Sequence, residues 1–368
     1  MLELFHRTEL DGDSPLHCVV PPINQQLLAK KLKLSRPTVS RSLANHPAIS
    51  AETRKRVQDM AAELGYGKSP TRTVRRSRQA KPITLGVLIG APLVASDRAT
   101  FPQILQGIRK RAEVEHAAID VLPLDAKALT VEAGEREIFG HIRKSDWRGI
   151  VLIYPFAPAT VEMLSRKLST VSVLTEYHDI AIDVVDTDHD GVRSLVTRLA
   201  ALGHKRIGFV SWHYPLGGLW ASRRFAAYAE GVLQAGLELK PEWTLNICRG
   251  GTTFESPGAI ADEVAKRIRR DKVTAWVCAA DHQGYQLMSD LRERGLKTPE
   301  DCSLTGFDGN VPPPGLAPLA TLRVPNEDIG ASAVARLIGR LLDPSSAHRK
   351  ILVETEYIPG ATITPPKG

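Results

Sequence analysis

From residue 82 onward the chain alternates short apolar runs with amphipathic stretches. The runs are ITLGVLIG (83–90), AIDVLPL (118–124), GIVLIYP (149–155), VSVLTE (171–176), RIGFVSW (206–212), AWVCAA (275–280), SLTGFD (303–308) and ATLRV (320–324). Each has the length and near-continuous hydrophobicity of a strand buried on both faces. Between them, 102–116, 132–144, 191–202, 222–236, 258–270 and 283–295 repeat apolar residues at helical spacing. Strand–helix alternation predicts parallel sheets covered by helices on both faces. The units are too numerous for one ordinary sheet, so two α/β lobes are expected.

The first sixty residues follow a different rhythm. Asn24 is placed to cap a helix over about 25–31, and Ser35 to cap a second that holds Pro37 in its first turn. Proline fits there because that position has no intrahelical partner for an N–H. Val39 and Leu43 are the inward pair of this second helix, leaving Arg36, Pro37, Thr38, Ser40 and Arg41 outward. A third helix from Ser50 stripes Val57, Met60, Ala61 and Leu64 on one side, with Gly65 at its C-terminal end. Three short helices with a tight second junction spell a helix-turn-helix unit, whose second helix enters the major groove of DNA.

Charge sharpens that expectation. The chain's net charge is +7, but residues 23–81 alone hold 14 Lys+Arg against 3 Asp+Glu. Residues 1–22 are acidic and the remainder is close to neutral. A cationic segment this concentrated is the electrostatic footprint of a nucleic-acid-binding module. No run of eighteen apolar residues exists, the N-terminus lacks an export-signal pattern, and Cys18, Cys248, Cys278 and Cys302 form no CxxC pair. These features predict a cytoplasmic protein with reduced thiols, without a metal site, cofactor or membrane partner.

The segment LAKKLKLSRPTVSRSLANHPAISAETRKRVQDMAAELGY resembles the DNA-binding headpiece of the LacI/GalR (lactose-repressor) family of transcriptional regulators. The likeness lies in the S-x-x-T-V-S-R core of the second helix, the H-P-x-I-S junction, the T-R-x-x-V third helix and the closing L-G-Y. It implies that Arg36, Pro37 and Arg41 read bases, while Ser35, Thr38 and Ser40 help grip the backbone. Ala44 stands where the family usually has asparagine, and Lys33 where it usually has glycine. The linker GKSPTRTVRRSRQAK also departs, with Pro70 inside it and Arg75 near the place of a leucine that wedges the minor groove in the family. Two alternatives stand for it: a tether, or an arm whose Arg72, Arg75 and Arg76 contact phosphates or a narrow groove.

The resemblance continues through DTDHDGVRSLVTRLAALGHKRIGFV (186–210), SLTGFDG (303–309) and PLATLRVPNEDIGASAVARLI (318–338). It implies a small all-α helix-turn-helix headpiece followed by an α/β periplasmic-binding-protein-like core of two parallel-sheet lobes joined by three crossovers. The corresponding domains are an extension (1–22), the headpiece (23–66), a basic hinge or linker (67–81), and an effector-binding and dimerisation core (82–365). Within the core, lobe one takes 82–186 plus 323–343, and lobe two takes 187–322 plus 344–365. Arg224 and Asp308 match effector-binding positions of the family. Asp281 matches the acidic half of its usual Asn-Asp pair, with Ala280 replacing the asparagine; Phe101 and Trp220 are expected to line the cleft. The implied activity is repression of transcription by a homodimer on a pseudo-palindromic operator, tuned allosterically by a small molecule, commonly a sugar or derivative.

One other class deserves weighing. DVVDTDHD packs Asp183, Asp186, Asp188, His189 and Asp190 after an apolar run, and carboxylates there could serve a sugar-acting α/β enzyme. A secreted solute-binding protein would use the same cleft. The plainer expectation is that these acids are exposed in a loop, with Asp190 near a helix start. No GxSxG, Walker loop or HExxH occurs. The sequence therefore favours a regulator that is not an enzyme.

Overall fold

The computed structural model describes residues 25–43, 49–64, 82–90, 100–124, 131–213, 219–247 and 253–367. The extension 1–22, the linker 67–81 with Arg72, Arg75 and Arg76, and the caps expected at Asn24 and Gly65 lie outside these residues. Two compact units divide the chain between Ala80 and Lys81.

The first unit contains α1 (Gln25–Leu32), α2 (Arg36–Leu43) and α3 (Ala51–Glu63). Ser35 caps α2: its Oγ accepts from the Thr38 amide at 3.2 Å and pairs with Thr38 Oγ1 at 2.7 Å. Ser50 caps α3 in the same manner through Thr53. Lys33, where the family favours glycine, takes a left-handed φ of 55° to turn from α1 toward α2. Leu28, Ala29, Val39, Val57 and Ala61 form the core, with Leu32, Leu34, Leu43, Met60 and Leu64 packed around it. The inward pair of α2 is Val39 and Ser42, both fully buried, while Leu43 is only half-buried. This rotation from the expected Val39–Leu43 pair follows i,i+3 spacing rather than i,i+4.

The second unit holds two parallel sheets. The larger is ordered β11-β5-β4-β3-β1-β2, from β1 (Ile83–Ile89), β2 (Ala117–Pro123), β3 (Trp147–Ile153), β4 (Ser169–Val173), β5 (Asp183–Thr187) and β11 (Lys350–Val353). The smaller is ordered β7-β6-β8-β9, from β6 (Ile207–Val210), β7 (Thr244–Leu245), β8 (Ala275–Cys278) and β9 (Ser303–Thr305). A short antiparallel pair, β10 (Thr321–Arg323) with β12 (Glu356–Ile358), serves the crossovers. Helices α4 (Thr100–Val114), α5 (Val131–Ser145), α6 (Pro158–Ser165) and α11 (Asn326–Leu342) dress the first sheet. Helices α7 (Gly191–Ala201), α8 (Leu219–Gln234), α9 (Pro257–Asp271) and α10 (Asp281–Glu293) dress the second. The two sheets share a packing device. Gly86 on β1 and Gly208 on β6 each lie flat under a tryptophan of the next strand, Trp147 and Trp276, where a Cβ would meet the indole at 2.1 and 2.5 Å.

One expected boundary is corrected. The sequence predicts the return segment from residue 344 in lobe two, but Lys350–Val353 pairs in parallel with β5 and so completes the first sheet. The cause is electrostatic. Asp183 on β5 is fully buried and accepts from Arg336 (2.8 Å), Arg340 (2.9 Å) and the Arg349 amide (2.7 Å), which pins the start of β11 beside it. Burial alone would push the Asp183 carboxyl up; the three donors outweigh it and hold the group below the usual carboxylate range. Helices α4 and α11 meet at backbone distance, with a Cβ on Gly107 or Gly330 falling within about 2 Å of the facing carbonyl.

Candidate functional site

Helix α2 exists because Ser35 closes its first turn and Pro37 fits there. The same register leaves one face bare. Ser35, Arg36, Pro37, Ser40 and Arg41 are exposed, and Thr38 is half-buried with its hydroxyl held by Ser35. Among the described residues neither Arg36 nor Arg41 has a carboxylate partner. Two guanidiniums one and a half turns apart on an eight-residue helix suit bidentate donation to guanine O6 and N7. The Arg36 amide and the exposed Ser40 hydroxyl suit phosphate oxygens, while the Ser35–Thr38 hydroxyl pair holds the turn in place.

In the second unit the carboxyl ends of both sheets point at one another, the general location of ligand sites in open α/β folds. Leu174, Thr175, Glu176 and Asp186 from the first lobe face Leu219, Trp220 and Arg223 from the second around a void of about 10 Å³. Among the described residues that space holds about one water. Glu176 closes the mouth by pairing with Arg223 across the lobes and with Lys350 at 2.8 Å. A wider groove of about 690 Å³ runs along α7, but its cations are engaged. Arg193 pairs with Glu230, and Arg198 sits over the Tyr357 ring.

Beneath the void lies a buried charge cluster. Arg224, 6% exposed, donates to the Ala279 carbonyl at 2.6 Å and to Asp308 Oδ1 at 3.3 Å. Its guanidinium stacks 3.5 Å above the Phe307 ring and 4.6 Å from the Trp220 ring. Burial lowers the Arg224 pKa, opposed by Asp308, Asp186 and Asp281. Asp308 ends the β9 segment at a φ of 128°, a left-handed backbone that costs a non-glycine residue strain and is typical of functional positions. Although 24% of its side-chain surface remains open, desolvation outweighs Arg224, and nearby Asp281 adds repulsion. Its carboxyl is pushed up to about 7.

Arg224, Asp308 and Trp220 are thus brought together as the sequence suggested. Asp281 is not placed to touch a ligand. It is fully buried, with Oδ1 taken by Thr321 and Oδ2 by the Asn310 amide, both at 2.6 Å. It braces the turn that carries Asp308, and Gly306 makes room for it, since a Cβ there would sit 2.0 Å from Asp281 Oδ1. Desolvation raises the Asp281 pKa against these donors. Phe101 falls on α4, and its side chain lies outside the described residues.

The acids of 183–190 are not the exposed loop group that was expected. Asp183 belongs to the β11 clamp, while Asp186 and His189 are 4% and 6% exposed. Only Asp190 is fully exposed, at the start of α7. Asp186 accepts from the Thr187 amide at 2.8 Å and lies 3.3 Å from His189 Nε2. No group of three or more potential metal ligands occurs among the described residues.

The comparisons with known proteins agree with this geometry. Residues 28–69 match the model of bacterial regulatory proteins of the lacI family, and 196–363 match a periplasmic binding protein-like domain. The HTH-type transcriptional repressor CytR of Escherichia coli (strain K12) is 27% identical over 346 residues, covering 90% of this chain and 93% of its own. The ribose operon repressor of Haemophilus influenzae is 21% identical, covering 89% and 94%. Among solved structures, the lac repressor dimer bound to operator and the anti-inducer ONPF has a TM-score of 0.60 at 21% identity, over 93% of this chain and 99% of its own. The CelR–cellobiose complex has a TM-score of 0.60 at 19% identity, over 92% and 99%. Both likenesses concern the fold. The chain thus joins a DNA-binding domain of the bacterial lacI-family regulatory proteins, at 28–69, to a periplasmic binding protein-like domain at 196–363.

Proposed function

We propose that this regulator is a repressor that reads operator DNA through Arg36, Pro37 and Arg41, steadied on the backbone by Ser35, Thr38 and Ser40. The observation that carries the reading is the bare cationic face of α2, whose two arginines stay exposed while Val39 and Leu43 pack into the headpiece core. A single short helix reads only a few base pairs. Two copies on a pseudo-palindromic site supply the rest, so the working species is a homodimer, like the operator-bound lac repressor dimer among its structural neighbours. The linker arginines Arg72, Arg75 and Arg76 are assigned to phosphate contacts beside the site.

Effector control is assigned to the cleft at Arg224, Asp308 and Trp220. The fork of Arg224 and the carboxyl of Asp308 suit a hydroxylated small molecule such as a sugar or nucleoside, and the indole suits its apolar face. Cellobiose in CelR occupies a protein of the same fold. Admission of such a molecule parts the Glu176–Arg223 contact and shifts the population of lobe orientations, which alters operator affinity. The chemistry of the site is recognition, and we assign no catalysis to it.

The test is selection of duplexes from a random pool with the full-length chain, followed by binding titrations across salt. A regulator returns a two-fold symmetric motif, and its log affinity falls linearly with log salt at a slope set by the phosphates neutralised. Recovery of no motif contradicts the proposal.

A further inference from the structure

Among the described residues, the 183–190 stretch contains one buried polar atom that neither the fold nor the reading above uses. Asp183 is engaged by Arg336 and Arg340, and Asp188 accepts the Asp190 amide at 3.0 Å. His189 differs: its Nε2 faces Asp186, but its Nδ1 is buried with no hydrogen-bond partner among the described residues. Buried polar atoms are rarely left so. A second orphan lies close by, the Nε–H of Arg224. Both groups border the same phenyl ring, for the His189 ring lies 5.9 Å from the Phe307 ring and Arg224 stacks 3.5 Å above it. His189 belongs to the crossover leaving the first lobe, whereas Phe307 and Arg224 belong to the second.

The protonation pattern follows from the neighbours. Burial pushes His189 below its ordinary pKa, aided by the positive charges of Arg224 and Lys350 and opposed by Asp186. The ring is therefore neutral near pH 7. Asp186 is held ionised by its donors and can only accept, so Nε2 carries the proton and Nδ1 presents a lone pair. The two orphans are then complementary, one acceptor from the first lobe and one donor from the second.

We propose that His189, oriented by Asp186, is an effector-reading residue whose Nδ1 accepts a hydrogen bond from an O–H or N–H of the ligand while Arg224 Nε–H donates to a ligand oxygen. The ligand class is one that offers a donor and an acceptor side by side, such as a hydroxyl pair or the edge of an amide. A molecule held this way bridges the two lobes beside the crossover, which is how occupancy comes to bias their orientation. The inference rests on the cleft being the effector site.

Two substitutions separate reading from structure. His189→Gln keeps an N–H for Asp186 but loses the Nδ1 acceptor, whereas His189→Asn keeps a carbonyl near the Nδ1 position. The full-length chain is screened by thermal shift against D-ribose, D-glucose, cellobiose, cytidine and adenosine, and any compound that binds is titrated. His189→Gln should lose about ten-fold in affinity with an unchanged melting temperature of the free protein, and His189→Asn should recover most of it. Equal affinity in wild type and His189→Gln overturns the role of His189 while leaving the cleft reading standing. Binding by no member of the panel overturns the cleft reading, and this inference with it. If His189→Gln does not fold, the ¹⁵N shift of Nδ1 in the wild-type chain decides: movement on ligand addition supports the role, and an unmoved shift overturns it.

Discussion

The headpiece and the ligand cleft both rely on arginine, under opposite conditions. Arg36 and Arg41 stand in solvent on α2 with no carboxylate partner among the described residues. Arg224 is buried, hydrogen-bonded to Ala279 and Asp308, and stacked on two aromatic rings. An exposed guanidinium contributes little to folding and retains its full capacity to bind a polyanion. A buried one is part of the fold, and removing it leaves carboxylates uncompensated. The difference teaches that one residue type can be left free for a large partner in one place and be built into the fold in the other.

The largest effect expected from this contrast is at Arg224. Arg224→Ala should destabilise the second unit by about 3–5 kcal/mol in denaturant melts, because Asp308 and Asp186 lose their countercharge. Arg36→Ala should leave stability within about 0.5 kcal/mol. Equal effects on stability would erase the distinction. Loss of effector response in Arg224→Ala is consequently ambiguous by itself, and Arg224→Lys, which keeps the charge but not the fork, is the sharper variant.

The next effect is on recognition. Arg36→Ala should reduce discrimination between operator and mutated half-sites by about 1–3 kcal/mol, read by competition binding, with melting of the chain unchanged. Ser40→Ala should weaken operator and scrambled duplex alike, as expected of a backbone contact.

A pH experiment addresses the buried side. Asp308 has its pKa pushed up to about 7 in the folded protein, above its ordinary 3.8. The folded state therefore holds this proton more tightly than the unfolded chain. Its contribution is fully present below about pH 4, falls as pH rises toward 7, and levels off above. Asp308→Asn should flatten that decline and raise the melting temperature at pH 8 relative to wild type. A wild-type profile with no dependence on Asp308 between pH 4 and 7 would contradict the burial argument.

The smallest effect belongs to the cleft mouth. Glu176→Gln removes a part-exposed ion pair with Arg223 and Lys350, worth about 0.2–1 kcal/mol. It should favour the open lobes and be visible as a modest rise in hydrogen exchange around β4 and α8. Unchanged exchange would show that the contact does not restrain the lobes.

Much of this architecture was readable before any coordinates. Ser35, Pro37 and Ser50 announce helix starts through local chemistry, and runs such as ITLGVLI and AWVC announce buried strands, because these signals lie within a few residues. Where the signal is distant, sequence reading stopped short. KILV at Lys350–Val353 is half-exposed edge strand, and its place beside β5 is set by Asp183 reaching Arg336 and Arg340, some 150 residues away. The same limit applies in the cleft. Arg224, Asp308 and Trp220 were named from their sequence context, yet Asp281 proved to be a brace, since Thr321 and Asn310 claim its oxygens from across the fold. Asp186 and His189 looked like solvated loop acids and neighbours because nothing local reveals that Phe307 and Arg224 lie over them.

The central claim, that the bare face of α2 reads base edges, is tested most directly by the specificity ratio. Affinity of the full-length chain is measured for its selected operator and for a scrambled duplex at one fixed salt concentration, in wild type and in the Arg36→Ala/Arg41→Ala double variant. The account predicts a wild-type ratio of about 10³ or more that collapses by at least two orders of magnitude in the variant while residual non-specific binding persists. A double variant that still prefers the operator by the wild-type ratio would contradict it.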